Sequence, residues 1–295
     1  MRKTQSSLTA QGIAVVRAFE SERPPESRVC YDPYARRFVD DALYWFTKVF
    51  DKLGYSEMRG PGVMGFLAVR ERHIDEYLLK CLAAGPEQLV ILGAGFDARA
   101  YRFAEQLHGV RVFEVDHPAT QQVKLAKVQR IFGSLPAHVV YVAIDFDTQT
   151  LTDRLRAAGY EPQRKTLFIW QGVTHYLTPE AVDATLAFVA RESGPGSSII
   201  FDYIYPTLLD GTVKHGEVSG MRRNRWWSGE MLNFGIAEGA IGAFLEQRGF
   251  CQVQDVDTRT LHDTYFTGAN AGRKVADGYA IVSAKVAAKP GVPAG

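Results

Sequence analysis

Gln88-Leu89-Val90-Ile91-Leu92-Gly93-Ala94-Gly95-Phe96-Asp97-Ala98-Arg99 is the stretch on which the fold of this 295-residue chain turns. Leu89 to Leu92 is a short apolar run that reads as a fully buried strand, and two glycines follow it at once. From Asp97 onward Ala100, Phe103, Ala104 and Leu107 recur at helical spacing. Strand, glycine turn and helix in succession is the context in which a nucleotide-type loop belongs. Glycine is needed there because a side chain would keep the backbone away from a ligand.

The loop also constrains its ligand. Gly93-x-Gly95-x-x-Ala98 satisfies the dinucleotide pattern, so a nicotinamide-dependent oxidoreductase is one reading. Asp97, however, stands where a pyrophosphate would meet the helix N-terminus, and an acid there competes with an anion for the helix dipole. S-adenosyl-L-methionine, which carries a sulfonium and an ammonium group and no phosphate, fits better. The alternative for Asp97 is a plain N-cap.

Downstream of the loop, strands alternate with helices, the mark of an α/β protein with a doubly wound, mostly parallel sheet. Strands are expected at Leu89–Leu92, Val110–Val115, Ala137–Ile144, Thr166–Trp170 and Ser198–Tyr203, with closing strands at Cys251–Val256 and Tyr279–Val286. That makes a seven-stranded, Rossmann-like sheet. Helices are expected near Ala98–Gln106, Pro118–Ile131, Leu151–Ala158, Pro179–Glu192 and Ile236–Gln247. The pattern lapses over 205–235, which is long for a loop and reads as a substrate-binding insertion in a core domain spanning 86–295.

Upstream, residues 1–85 read as a helical lid or collar. One helix covers Thr9–Phe19. A second opens at Asp32-Pro33, a cap followed by proline, and carries Phe38, Ala42, Trp45, Phe46, Val49, Phe50 and Leu53 at helical spacing. A third carries Phe66, Leu67, Ile74, Leu78, Cys81 and Leu82 and ends at Gly85-Pro86.

Composition excludes several classes. Apolar content of 46% and charged content of 23% are those of an ordinary globular protein, and a net charge of +1 gives no basis for nucleic-acid or membrane-surface binding. Cys30, Cys81 and Cys251 are scattered and odd in number, which speaks against a disulfide framework or a zinc site. No apolar leader or membrane-length stretch occurs, so a cytoplasmic location, no membrane partner and no metal are expected. Nothing in the sequence sets the oligomeric state.

Ligands of open parallel sheets bind beyond the carboxyl ends of the strands. The second strand ends in Glu114-Val115-Asp116-His117-Pro118, with Asp116 lying 21 residues after Gly95, where a carboxylate can accept from both ribose hydroxyls. A helix cap is the alternative there. The third ends in Ile144-Asp145-Phe146-Asp147, an acid and an aromatic suited to an adenine amino group and ring; Asp145 could equally cap the turn. The fourth ends in Gln171-Gly172-Val173-Thr174-His175-Tyr176-Leu177, where His175 is placed to act as a base or as a structural hydrogen-bonder. Arg222, Arg223 and Arg225 could bind an anionic substrate or form a solvated face, and Trp226-Trp227 could wall an aromatic pocket or pack a lid.

These motifs together resemble the leucine carboxyl methyltransferase family, within the class I S-adenosylmethionine-dependent methyltransferases, and its bacterial polyketide O-methyltransferase-like branch. The resemblance runs through residues 9–205 and rests on Tyr31-Asp32-Pro33-Tyr34-Ala35, on Leu92 to Arg99, on Phe113 to Pro118 and on Gly172 to Leu177. It implies that Gly93 and Gly95, with Ala94 between them, cradle the methionine part of the cofactor. It implies that Asp116, beside His117, holds the ribose and that Asp145 and Phe146 contact adenine. Arg70, with Arg72 two residues on as the alternative, would pair with the cofactor carboxylate, and Arg17 corresponds to a basic residue of the N-terminal segment. The family's fourth-strand motif usually begins with glutamate, and here it is Gln171, which offers the cofactor ammonium only a carbonyl acceptor. A non-catalytic cofactor-binding protein is therefore a third reading, and in that case Gln171→Glu is expected to restore binding strength. O-methylation of a small molecule is the leading expectation. A carboxylate acceptor would need an arginine such as Arg222 to place it, and a hydroxyl would need His175 or Tyr176 to handle its proton.

Overall fold

The computed structural model describes residues 5–146, 148–210 and 232–288. Seven strands form one sheet: β1 (Gln88–Leu92), β2 (Arg111–Asp116), β3 (Val139–Ala143), β4 (Thr166–Trp170), β5 (Ser198–Ile204), β6 (Phe250–Asp257) and β7 (Tyr279–Val286). Their order is β3-β2-β1-β4-β5-β7-β6, with β7 antiparallel to both neighbours. Gln88 of β1 pairs with Arg111 of β2 on one side and Thr166 of β4 on the other, so the central strands are in step. The topology reverses between β1 and β4, and the carboxyl ends of strands at such a switch point are where ligands of open α/β sheets bind.

Side chains alternate between the faces of the sheet and build two cores. Leu89 and Ile91 join Phe66, Ile74 and Leu78 on one face, while Val90 and Leu92 join Trp170, Leu186 and Val189 on the other. Around the sheet lie α1 (Gln5–Ser21), α2 (Ala35–Phe38), α3 (Asp41–Lys52), α4 (Tyr55–Arg59), α5 (Val63–Leu82), α6 (Arg99–Arg102), α7 (Pro118–Phe132), α8 (Leu151–Ala157), α9 (Pro179–Glu192), α10 (Pro206–Asp210), α11 (Ile241–Glu246) and α12 (Thr258–Tyr265). α9 opens with proline at its first position, and the Thr178 hydroxyl caps it by accepting from Ala181 N.

Several boundaries differ from expectation. The single helix from Asp32 is two, α2 and α3, because Val39 is extended and Asp40 turns out to pair with Lys127 of α7 at 2.5 Å. The Asp32 carboxylate still caps, accepting from Tyr34 N at 2.9 Å and Ala35 N at 3.0 Å. The helically spaced apolar face of α3 is not core: Trp45 is 58% and Leu53 75% exposed, and Tyr44 is the buried residue. After the glycine loop only α6 is helical, and the chain then turns directly into β2. α11 is shorter than expected because Ile236 N bonds to Ile204 O and is drawn out of the helix. α12 had no expected counterpart. Arg222, Arg223, Arg225, Trp226 and Trp227 lie outside the described residues, so the insertion is described only at its two ends. Among the described residues no helix is long and apolar enough to cross a membrane.

Candidate active site

The strand order lays the candidate residues in a row across the carboxyl edge: Asp145 and Phe146 after β3, Asp116 and His117 ending β2, Gly93 to Asp97 after β1, and Gln171 to Tyr176 after β4. Three strand spacings make this row about 14 Å long.

Phe146 is exposed, with its ring open to stacking. The Asp116 carboxylate ties the first two loops together, accepting from Gly95 N and, at 2.6 Å, from His117 N. Burial raises its pKa, while the Gly95 and His117 N–H groups pull it down in part. His117 caps α7, its Nδ1 accepting from Ala119 N at 3.2 Å. Gly93 has φ +65, and a Cβ there would stand 2.4 Å from Val173 Cγ2, so only glycine lets the β1 and β4 loops meet. Ala94 is buried and donates its N–H to Val115 O at 3.0 Å.

Behind the loops lies a buried ion network. Arg99 pairs with Glu71 at 2.7 Å, with Asp75 at 2.7 Å and with Asp97. Arg17 pairs with Asp32 at 2.9 Å and Glu71 at 3.4 Å and donates to Phe96 O. Arg102 pairs with Asp75 at 2.8 Å. Four carboxylates thus face three guanidinium groups, and the surplus negative charge suits a cationic ligand. Burial pushes the Glu71 carboxyl up, but Arg99 and Arg17 together hold it below its ordinary range. Asp97 is likewise lowered, against burial, chiefly by Arg99. Asp97 therefore acts as a member of this network, and its Oδ1 also accepts from Arg99 N at 2.7 Å. Gln171 joins it too, accepting from Arg99 Nη1 at 2.8 Å and donating to Glu71 Oε1 at 2.5 Å.

A second pair sits beside the fourth-strand loop. Arg70 of α5 donates through Nη1 to Asp202 of β5 at 2.6 Å, and both side chains are almost fully buried. Arg70 Nε and Nη2 have no hydrogen-bond partner among the described residues. These two donors form one edge of the guanidinium fork, the edge that takes a carboxylate bidentately. Gly172, at φ +69, lies against the same guanidinium, with a Cβ position 3.3 Å from Nη1. A buried fork whose two donors lack a partner among the described residues, beside a glycine, matches the chemistry of an amino-acid carboxylate, so the residues present fit S-adenosyl-L-methionine.

His175 is buried on the same loop, with Nδ1 unpartnered among the described residues and its ring 4.2 Å from that of Tyr176. Burial, offset in part by Asp202 and reinforced by Arg70, pushes its pKa down to about 4. Tyr176 is half-buried and its carbonyl accepts from Asn233 Nδ2 at 2.9 Å. Arg222, the third candidate for the acceptor side, lies outside the described residues. Asp202, Glu71 and Asp75 are not among the residues expected at the site from sequence. The available signal for Asp202 was a lone acid inside the apolar run Ser198 to Ile204, since a charge is buried only when paired.

A seven-stranded sheet of this order, parallel but for β7, has the fold of the class I methyltransferases. The leucine carboxyl methyltransferase family profile matches residues 10–190, and the chain belongs to that family. A Bacillus subtilis protein named "Putative S-adenosyl-L-methionine-dependent methyltransferase YktD" is 28% identical over 287 residues, covering 90% of this chain and 93% of its own. A Mycobacterium tuberculosis protein of the same description is 30% identical over 274 residues, covering 86% and 84%. One from Rhodococcus jostii is 36% identical over 197 residues, covering 66% and 65%. Among solved structures, Haemonchus contortus phosphoethanolamine N-methyltransferase 2 in complex with S-adenosyl-L-methionine gives a TM-score of 0.46 at 13% identity, over 72% of this chain and 53% of that one. The chain is an S-adenosyl-L-methionine-dependent methyltransferase, and the oxidoreductase alternative finds no support.

Proposed function

We propose that the enzyme methylates an oxygen of a small molecule, and that this oxygen belongs to a carboxylate. The observation that carries the reading is His175. With its pKa pushed down to about 4, it is neutral at pH 7 and too weak a base to take a proton from an ordinary hydroxyl. A carboxylate acceptor is already ionised and needs no base. The protein then has to align three atoms in line and exclude water. The bound cofactor supplies an electrophilic methyl group.

In this reading Arg70 takes the cofactor carboxylate, Gly93, Ala94 and Gly95 bring backbone against its methionine part, and Asp116 and His117 hold the ribose side. Asp145 and Phe146 receive adenine, while Asp97 and Gln171 act through the ion network. Tyr176 and Arg222 orient the acceptor. The second reading, a phenol or alcohol acceptor with His175 as base, draws on the unpartnered Nδ1.

Alkali separates the two. Methyl-labelled S-adenosyl-L-methionine is offered with panels of small carboxylic acids and phenols, and the labelled product is saponified. An ester releases its label as methanol and an ether keeps it. The expected label is alkali-labile, and His175→Asn retains turnover within about tenfold. An alkali-stable label with a loss of about 10²-fold or more in His175→Asn, the range of a missing general base, overturns the carboxylate assignment.

A further inference from the structure

We propose that Asp202 is a positioning residue that sets the Arg70 fork and the β4 loop in register for the amino-acid end of the cofactor. The inference rests on the assignment of Arg70 to the cofactor carboxylate made above. Asp202 lies in β5, two residues before the end of the strand, and is fully buried. Each of its carboxylate oxygens has a different task. Oδ2 accepts from Arg70 Nη1 at 2.6 Å, and Oδ1 accepts from Gly172 N at 2.5 Å. Its own carbonyl accepts from the Thr174 hydroxyl at 2.6 Å. One residue therefore grips α5 and two points of the loop after β4.

The consequence for Arg70 is directional. An arginine has two bidentate edges, and engaging Nη1 leaves the Nε/Nη2 edge as the one that can close on a carboxylate. That edge is the pair of buried donors without partners among the described residues. Asp202 thus neutralises part of the guanidinium charge, keeps the fork from rotating onto another acid, and holds Gly172 against it. Its effect reaches a ligand only through Arg70 and the loop, so it should be felt by ligands with an amino-acid carboxylate and ignored by those without one.

The test uses calorimetry on the whole chain with two probes: S-adenosyl-L-homocysteine, which has the carboxylate, and 5′-methylthioadenosine, which lacks the amino-acid end. In Asp202→Asn the amide oxygen can keep Gly172 N while the NH₂ faces Arg70 Nη1 donor to donor. The expected result is a loss of about tenfold or more in affinity for the homocysteine ligand with methylthioadenosine affinity unchanged. Arg70→Ala should show the same split, and adding Asp202→Asn to Arg70→Ala should cost nothing further, since two residues acting as one are non-additive. Should Asp202→Asn fail to fold, Asp202→Glu keeps the charge but displaces it by one methylene, and the same split is expected. Equal losses for both probes reduce Asp202 to a structural group and overturn the inference, as does an unchanged affinity for both. A split in Arg70→Ala without one in Asp202→Asn or Asp202→Glu overturns the inference while sparing the Arg70 assignment. No split in Arg70→Ala overturns both.

Discussion

At position 171 an amide does two things that a carboxylate cannot do together: its oxygen accepts from Arg99 while its nitrogen donates to Glu71 Oε1 at 2.5 Å. Read along the chain, Gln171 stood for a lost acid, and restoring glutamate was expected to strengthen cofactor binding. The neighbours reverse that expectation. Glutamate at 171 would set a second carboxylate against one that is buried and already held ionised by Arg99 and Arg17. Gln171→Glu should lower stability by about 1–3 kcal/mol at pH 7, because the hydrogen bond to Glu71 becomes a contact between two carboxylates although Arg99 still donates to the new one, and weaken S-adenosyl-L-methionine rather than tighten it. Urea denaturation and calorimetric titration check this, and unchanged stability with tighter binding would refute it. Local sequence reading could place Gln171 on the right loop, since the strand and Gly172 are local signals. It could not see Glu71, which lies 100 residues away.

The same division holds for whole elements. Hydrophobic period names a helix and one of its faces, but what that face meets is decided elsewhere in the chain. On α3 the spacing of Trp45, Phe46, Val49 and Leu53 is helical as expected, yet Phe46 is 53% and Val49 54% exposed. The helix is held instead by Tyr44, which is buried, packs edge-on against Phe19 of α1 and donates its hydroxyl to Glu22. Trp45→Ser and Phe46→Ser should therefore each change stability by less than about 0.5 kcal/mol, the range of an ordinary surface site. Tyr44→Ala should cost about 3 kcal/mol, the loss of a buried aromatic. Thermal melts of the three variants decide it; a large loss at Trp45 would mean that this face is core after all. β1 and β4 were easier to read because both faces are buried, so a bare apolar run is their whole signature.

At the scale of the molecule, alternation of strands and helices was enough to foresee the sheet, and strand ends were enough to foresee the row of loops. The fastening of the N-terminal helices to those loops was not foreseeable, because long-range ion pairs leave no local pattern. Arg99 is the knot: it joins Asp97 of the β1 loop, Glu71 and Asp75 of α5, and Gln171 of the β4 loop. Arg99→Met keeps most of the volume and removes the charge, leaving three buried carboxylates short of a partner. The expected loss is at least about 3 kcal/mol at pH 7, a large share of a typical stability of about 5–15 kcal/mol. The pH dependence should change sign as well. In the native network Glu71 and Asp97 titrate below their ordinary values, so the stability they contribute is full above the unfolded carboxyl range, about pH 4, and is lost as pH falls through their folded values. Without Arg99, burial is the leading influence left on Asp97, with Glu71 beside it, and pushes that carboxyl up, while Glu71 keeps Arg17 as its partner. A raised folded pKa gives stability that is present in acid and lost as pH rises, so the deficit of the variant against the native enzyme should shrink from pH 7 towards pH 5. Urea midpoints of the two proteins across pH 4 to 7 measure that deficit. A deficit that is constant or grows in acid would show that Arg99 does not hold these carboxyls ionised.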